Sequence, residues 1–80
     1  MNTGMKNGLL AIQQARENAR FSKETRYVYI GSMGTFIIEK TPPNLNSPMC
    51  PDHSYLEVYP DGGVVSTVLH QDGRWSRVSL

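Results

Sequence analysis

The sequence predicts an α+β fold: one N-terminal helix packed on one face of an antiparallel sheet of about five strands, laid out as a hairpin followed by a three-stranded meander. Three observations predict it. Apolar and small residues recur at helical spacing over the first quarter of the chain. Period-two segments rich in β-branched and aromatic residues follow, separated by short turns that contain glycine. A segment with four prolines, Thr41–His53, divides the first two strands from the last three.

The helix is expected over about residues 3–24, capped by Thr3 or Asn7, whose short polar side chains can accept from the first free N–H groups. Met5, Leu9, Ile12, Ala15 and Ala19 form the expected core stripe, with Gly8 and Ala11 adjoining. Small residues there would let the helix lie close to a sheet. Arg16, Arg20 and Lys23 run beside the stripe as the one basic row of the chain. They read first as a solvated flank, with Glu17 and Glu24 within pairing distance of Arg20, and second as contacts to phosphate or to an acidic partner.

Strands are expected at about 26–31, 35–40, 54–60, 64–70 and 74–79, within a single domain spanning 1–80. Ser32-Met33-Gly34 fits a three-residue hairpin loop with glycine in the left-handed position, which sets Val28 opposite Ile38 and Ile30 opposite Phe36. The two later turns contain Asp-Gly, the pair favoured in two-residue type I′ loops. Read that way, they set Tyr59 opposite Val64 and His70 opposite Trp75. Leu56, Val58, Val65, Thr67, Leu69, Val78 and Leu80 then share the core face. Tyr55, Glu57, Tyr59, Val64, Ser66, Val68, His70, Trp75 and Arg77 share the other. A loop longer by one residue flips the following strand, so the face assignment hangs on turn type. Residues 41–53, with Pro42, Pro43, Pro48 and Pro51, are expected to form a long stiff connection.

Eighty residues support one small core. No apolar run approaches the length of a membrane span, and Met1–Arg20 lacks the hydrophobic centre and cleavage site of a signal peptide. With a lone Cys50 and hence no internal disulfide, a cytoplasmic location is the expectation. Net charge is +1, residues 1–40 holding six basic and three acidic side chains and residues 41–80 two and four. That imbalance is far short of a dense basic patch.

Cys50, Asp52 and His53, with His70 and Asp72, contain thiolate and imidazole ligands but not the paired spacing of structural zinc sites. A Cys50–His nucleophilic pair lacks a pocket to work in. Glu39 and Glu57 share a face without a cleft, and Gly31–Gly34 is a turn rather than a phosphate loop. No cofactor, metal or catalytic residue is therefore expected. The feature that the fold itself does not demand is the aromatic second face, with Tyr27, Tyr29, Tyr55, Tyr59, Trp75 and Arg77. Tyrosine, tryptophan and arginine are enriched in binding hot spots. The expectation is a non-catalytic module that binds a larger intracellular protein by occlusion or docking, an inhibitor or accessory factor of the kind carried by phages and mobile elements. A homodimer through the same face is a variant of it. The alternative is a nucleic-acid binder in which the aromatics stack bases while Arg16, Arg20, Lys23, Arg74 and Arg77 meet phosphates.

Overall fold

The computed structural model describes residues 7–80; Thr3, Gly4, Met5 and Lys6 of the expected helix lie outside them. The helix α1 covers Gly8–Ser22, and five strands follow: β1 Arg26–Ile30, β2 Phe36–Glu39, β3 Ser54–Val58, β4 Val64–Leu69 and β5 Trp75–Ser79. They form one antiparallel sheet in the order β2-β1-β3-β4-β5. The expected α+β architecture is the one found.

Asn7 caps α1, its side-chain oxygen accepting from the N–H groups of Leu9 and Leu10 at 2.9 and 3.4 Å. The helix ends at Lys23 in the left-handed conformation, φ 60°. Lys23 is thus a C-terminal cap rather than the end of a helical basic row. The face turned to the sheet is made of Gly8, Ala11, Ala15 and Ala19, the three alanines fully buried. A β-carbon on Gly8 would come 3.0 Å from the Phe36 ring. Leu9, expected in this stripe, points away and is 74% exposed. The smallest side chains thus make the inward face, and Leu9, one residue on from Gly8 and turned about 100° around the helix from it, lies outside that face. Beneath it the core is Val28, Val58 and Val64, flanked by Phe36, Ile38 and Leu56.

All three hairpins use one turn. Gly31-Ser32-Met33-Gly34-Thr35, Tyr59-Pro60-Asp61-Gly62-Gly63 and His70-Gln71-Asp72-Gly73-Arg74 each close a three-residue loop. In each, the N–H of the third loop residue donates to the carbonyl of the residue before the loop, at 2.9–3.0 Å. That third residue is always glycine with positive φ: 78° at Gly34, 93° at Gly62 and 86° at Gly73. The first hairpin has the expected register. The other two differ from the two-residue reading by one residue. Val58, not Tyr59, opposes Val64, and Leu69, not His70, opposes Trp75. At the first of these turns Pro60 supplies the reason. A two-residue loop would make Pro60 and Gly63 a hydrogen-bonded pair, and proline has no N–H to give. As the first loop residue its fixed φ is suitable.

The strand between the two turns is accordingly flipped. Val64, Ser66 and Val68 face the helix side, Val64 as a core residue only 5% exposed, while Val65, Thr67 and Leu69 join the aromatic side. The second one-residue shift cancels the first, so Trp75 and Arg77 remain on the aromatic side and Val78 and Leu80 on the other. The proline-rich connection is also more compact than expected. It is a chain of three turns, closed by Ser47 N–H to Asn44, Cys50 N–H to Ser47 and His53 N–H to Cys50. Pro48 and Pro51 take the first loop position in the last two, where proline presets the backbone. Leu45 and Cys50 are buried by it.

Ala15→Leu should lower stability by about 1–3 kcal/mol through overpacking, whereas Leu9→Gln should stay within about 0.5 kcal/mol of the parent. Urea denaturation midpoints check both; a large loss for Leu9→Gln would restore the stripe read from periodicity.

Candidate functional site

The side of the sheet away from α1 collects Tyr27 and Tyr29 from β1, Tyr55 and Glu57 from β3, Tyr59 just beyond it, Thr67 from β4, and Trp75 and Arg77 from β5. Alternation along each strand puts them there. Tyr27, Tyr29, Tyr55, Tyr59, Trp75 and Arg77 all lie on it, whereas Ser66, expected on the same face, does not.

Its centre is polar. Glu57, directly opposite Tyr27, has a side chain only 12% exposed. Its carboxylate accepts from the Tyr59 hydroxyl, from the Thr67 hydroxyl at 3.3 Å and from the Arg77 guanidinium at 2.9 Å. Arg77 reaches it across β4, passing over Thr67, and also donates to the Tyr59 oxygen at 3.3 Å. Thr67 is buried under this cover, 2% exposed. The network satisfies a nearly buried carboxylate with three donors, which such a group requires. The Arg77 side chain itself is 58% exposed, so the ion pair contributes little to stability and chiefly fixes where the guanidinium points. Glu57 and Thr67 were not singled out in the sequence as parts of a site. The two-residue turn puts Thr67 on the opposite face, and the missing N–H of Pro60 is the signal in the sequence that corrects it.

Around that centre the tyrosines cover one another. Tyr27 and Tyr55 meet edge to face, ring centroids 5.7 Å apart. Burial raises the Tyr29 pKa, with a further contribution from the nearby Glu39. Of the aromatics expected on this face, Tyr27, Tyr29, Tyr55 and Tyr59 are half-buried, and Trp75, at 57%, and Arg77 are the most exposed. Val64 and Val68, expected here, are on the helix side.

The candidates for chemistry are dispersed. Cys50 is fully buried, and burial pushes its thiol above the ordinary value, the wrong direction for a nucleophile. His53 uses Nδ1 on the Leu45 carbonyl, His70 pairs its Nε2 with the Ser76 hydroxyl at 2.6 Å, and Asp72 accepts from the Arg74 N–H at 3.0 Å. Among the described residues no three of His, Cys, Asp and Glu gather to hold a metal ion, and no helix is long and apolar enough to cross a membrane. Arg16 and Arg20 lie on α1, on the opposite side of the sheet from the aromatics, near the Pro60–Gly62 turn. Compared with known proteins, the chain matches no family model, and no curated protein or solved structure shows significant similarity to it.

Three tyrosines hold their protons more tightly than usual: Tyr27 and Tyr29 chiefly through burial, Tyr59 chiefly through its hydrogen bond to Glu57. Unfolding returns each to its ordinary value of 10.0, so the unfolded chain loses these protons first. The stability they contribute is complete below 10.0 and is lost as pH rises through the higher folded values. Urea midpoints should therefore fall above that pH, and fall less in Tyr59→Phe; equal midpoints across the window would contradict the network.

Proposed function

We propose that the chain is a small non-catalytic protein-binding module, an inhibitor or accessory factor that docks on a larger protein through its aromatic face. The observation that carries this reading is the pairing of Trp75, 57% exposed, with Arg77, whose guanidinium is held in place by the nearly buried Glu57. An indole and a pre-oriented guanidinium two residues apart on a sheet lose little side-chain entropy on binding, and both residue types dominate hot spots. The half-buried tyrosines of β1 and β3, with Tyr59, extend the same face inward from this edge. The partner is expected to be intracellular.

The nucleic-acid reading asked one strand to meet aromatic rings and the basic helix flank together. Arg16 and Arg20 stand on the far side of the sheet from Trp75, so no specific observation favours it.

Tagged protein should retain a partner from its native lysate after nuclease treatment. Trp75→Ala should weaken that partner's affinity by about 2 kcal/mol, roughly 30-fold. Phe21→Ser, at a side chain 93% exposed on α1, should leave it unchanged. Retention by Trp75→Ala equal to the parent, or disappearance of the partner with nuclease, would overturn the reading.

A further inference from the structure

The two edges of the sheet are not alike. β2 has four residues and runs into Lys40 and Pro42-Pro43, features that discourage a further strand. β5, Trp75–Ser79, has neither lysine nor proline, and pairs with β4 one residue to one, without a bulge. Hydrogen bonds from His70 N–H to the Arg74 carbonyl and from Leu80 N–H to the Val64 carbonyl bracket the β4–β5 ladder. Antiparallel alternation then turns the main-chain groups of Ser76 and Val78 toward β4, and those of Trp75, Arg77 and Ser79 outward. The same strand exposes large apolar side chains on both sides of the sheet: Trp75 at 57% on one, Val78 at 57% on the other, continued by Leu80 at 74%. α1 touches β1, β2 and β3 but neither β4 nor β5, so it leaves Val78 uncovered. A partner on either face would cover only one of these groups. A partner strand added edge-on borders both, and satisfies the outward main chain.

We propose that this strand is a second copy of β5, paired antiparallel about a two-fold axis at Val78. That register sets Val78 against Val78 of the second copy and Ser76 against Leu80 of the second copy on the helix side. Arg77 then opposes Ser79 of the second copy on the aromatic side. The outward groups of Arg77 and Ser79 form the hydrogen-bonded pairs across the axis. The neighbouring register, centred on Arg77, would oppose like charges directly and is disfavoured. The result is one ten-stranded sheet with the two helices on the same side and two Trp75–Arg77 pairs on the other. This goes beyond docking through the aromatic face, and holds or fails independently of it.

Sedimentation velocity over a concentration series tests the dimer. The parent chain should shift from monomer to dimer as concentration rises. Ser79→Pro deletes an outward N–H while sparing the ladder to β4, an edge position where proline is tolerated. Val78→Lys leaves every main-chain group in place. Each should keep the parent's circular dichroism and raise the dimer dissociation constant at least about tenfold. Val78→Cys should cross-link to itself on mild oxidation, because a non-hydrogen-bonded pair holds its α-carbons within disulfide range. Ser76→Cys and the parent, with Cys50 buried, should not. A parent that stays monomeric throughout, or a folded Ser79→Pro that dimerises as the parent does, would overturn the proposal. Cross-linking of Ser76→Cys to Val78→Cys, without Val78→Cys homodimers, would overturn the register.

Discussion

A glycine with positive φ at the third position of each hairpin loop sets the register of every hairpin in this chain. Gly34, Gly62 and Gly73 each donate back to the residue before the loop, and each lets the chain turn through a conformation that other residues rarely adopt. Register decides faces, because a strand has only two. With three-residue loops Val64 enters the core beside Val28 and Val58, while Thr67 goes under the Glu57 carboxylate. Both the hydrophobic and the polar centre of the molecule depend on the turn at Pro60–Gly62.

The two sides of the sheet are stabilised differently. On the helix side, small residues of α1 allow close approach to a set of valines, so the core is thin and tolerates little added volume. On the other side, Tyr27 and Tyr55 meet edge to face and the tyrosines are half-buried. A nearly buried carboxylate sits among them because Tyr59, Thr67 and Arg77 all donate to it. Removing any one donor leaves the others in place; removing the carboxylate leaves three donors without their common acceptor. Glu57 is therefore the residue that orders this side, and it fixes where the Arg77 guanidinium points.

Much of this was legible in the sequence. The helix, five strands and first hairpin followed from periodicity, and the six expected face residues were placed on the correct side. Trp75 and Arg77 reached it through two shifts that cancel. What escaped was physical detail that pattern does not carry. Asp-Gly favours a type I′ turn in isolation, but Pro60 lacks the N–H which that turn requires of it, and Asp61 instead accepts from the Gly63 N–H at 2.9 Å. Leu9 was placed in the core stripe with Ile12, yet the face that is buried centres on Gly8, Ala11, Ala15 and Ala19, from which Leu9 is turned away. The prolines of 41–53 announced an irregular segment; that they would fold it into successive turns depends on Asn44, Ser47 and Cys50 supplying the accepting carbonyls.

The place of Val64 in the core and of Thr67 beside Glu57 both follow from the register, so the register is what a single measurement should address. Nuclear Overhauser contacts between α-protons are strong only across non-hydrogen-bonded antiparallel pairs, where the strands come closest. The structure requires them between Val58 and Val64, Leu56 and Ser66, and Leu69 and Trp75. Contacts between Tyr59 and Val64 and between His70 and Trp75 in their place would contradict it, returning Val64 to the aromatic side and Thr67 to the core.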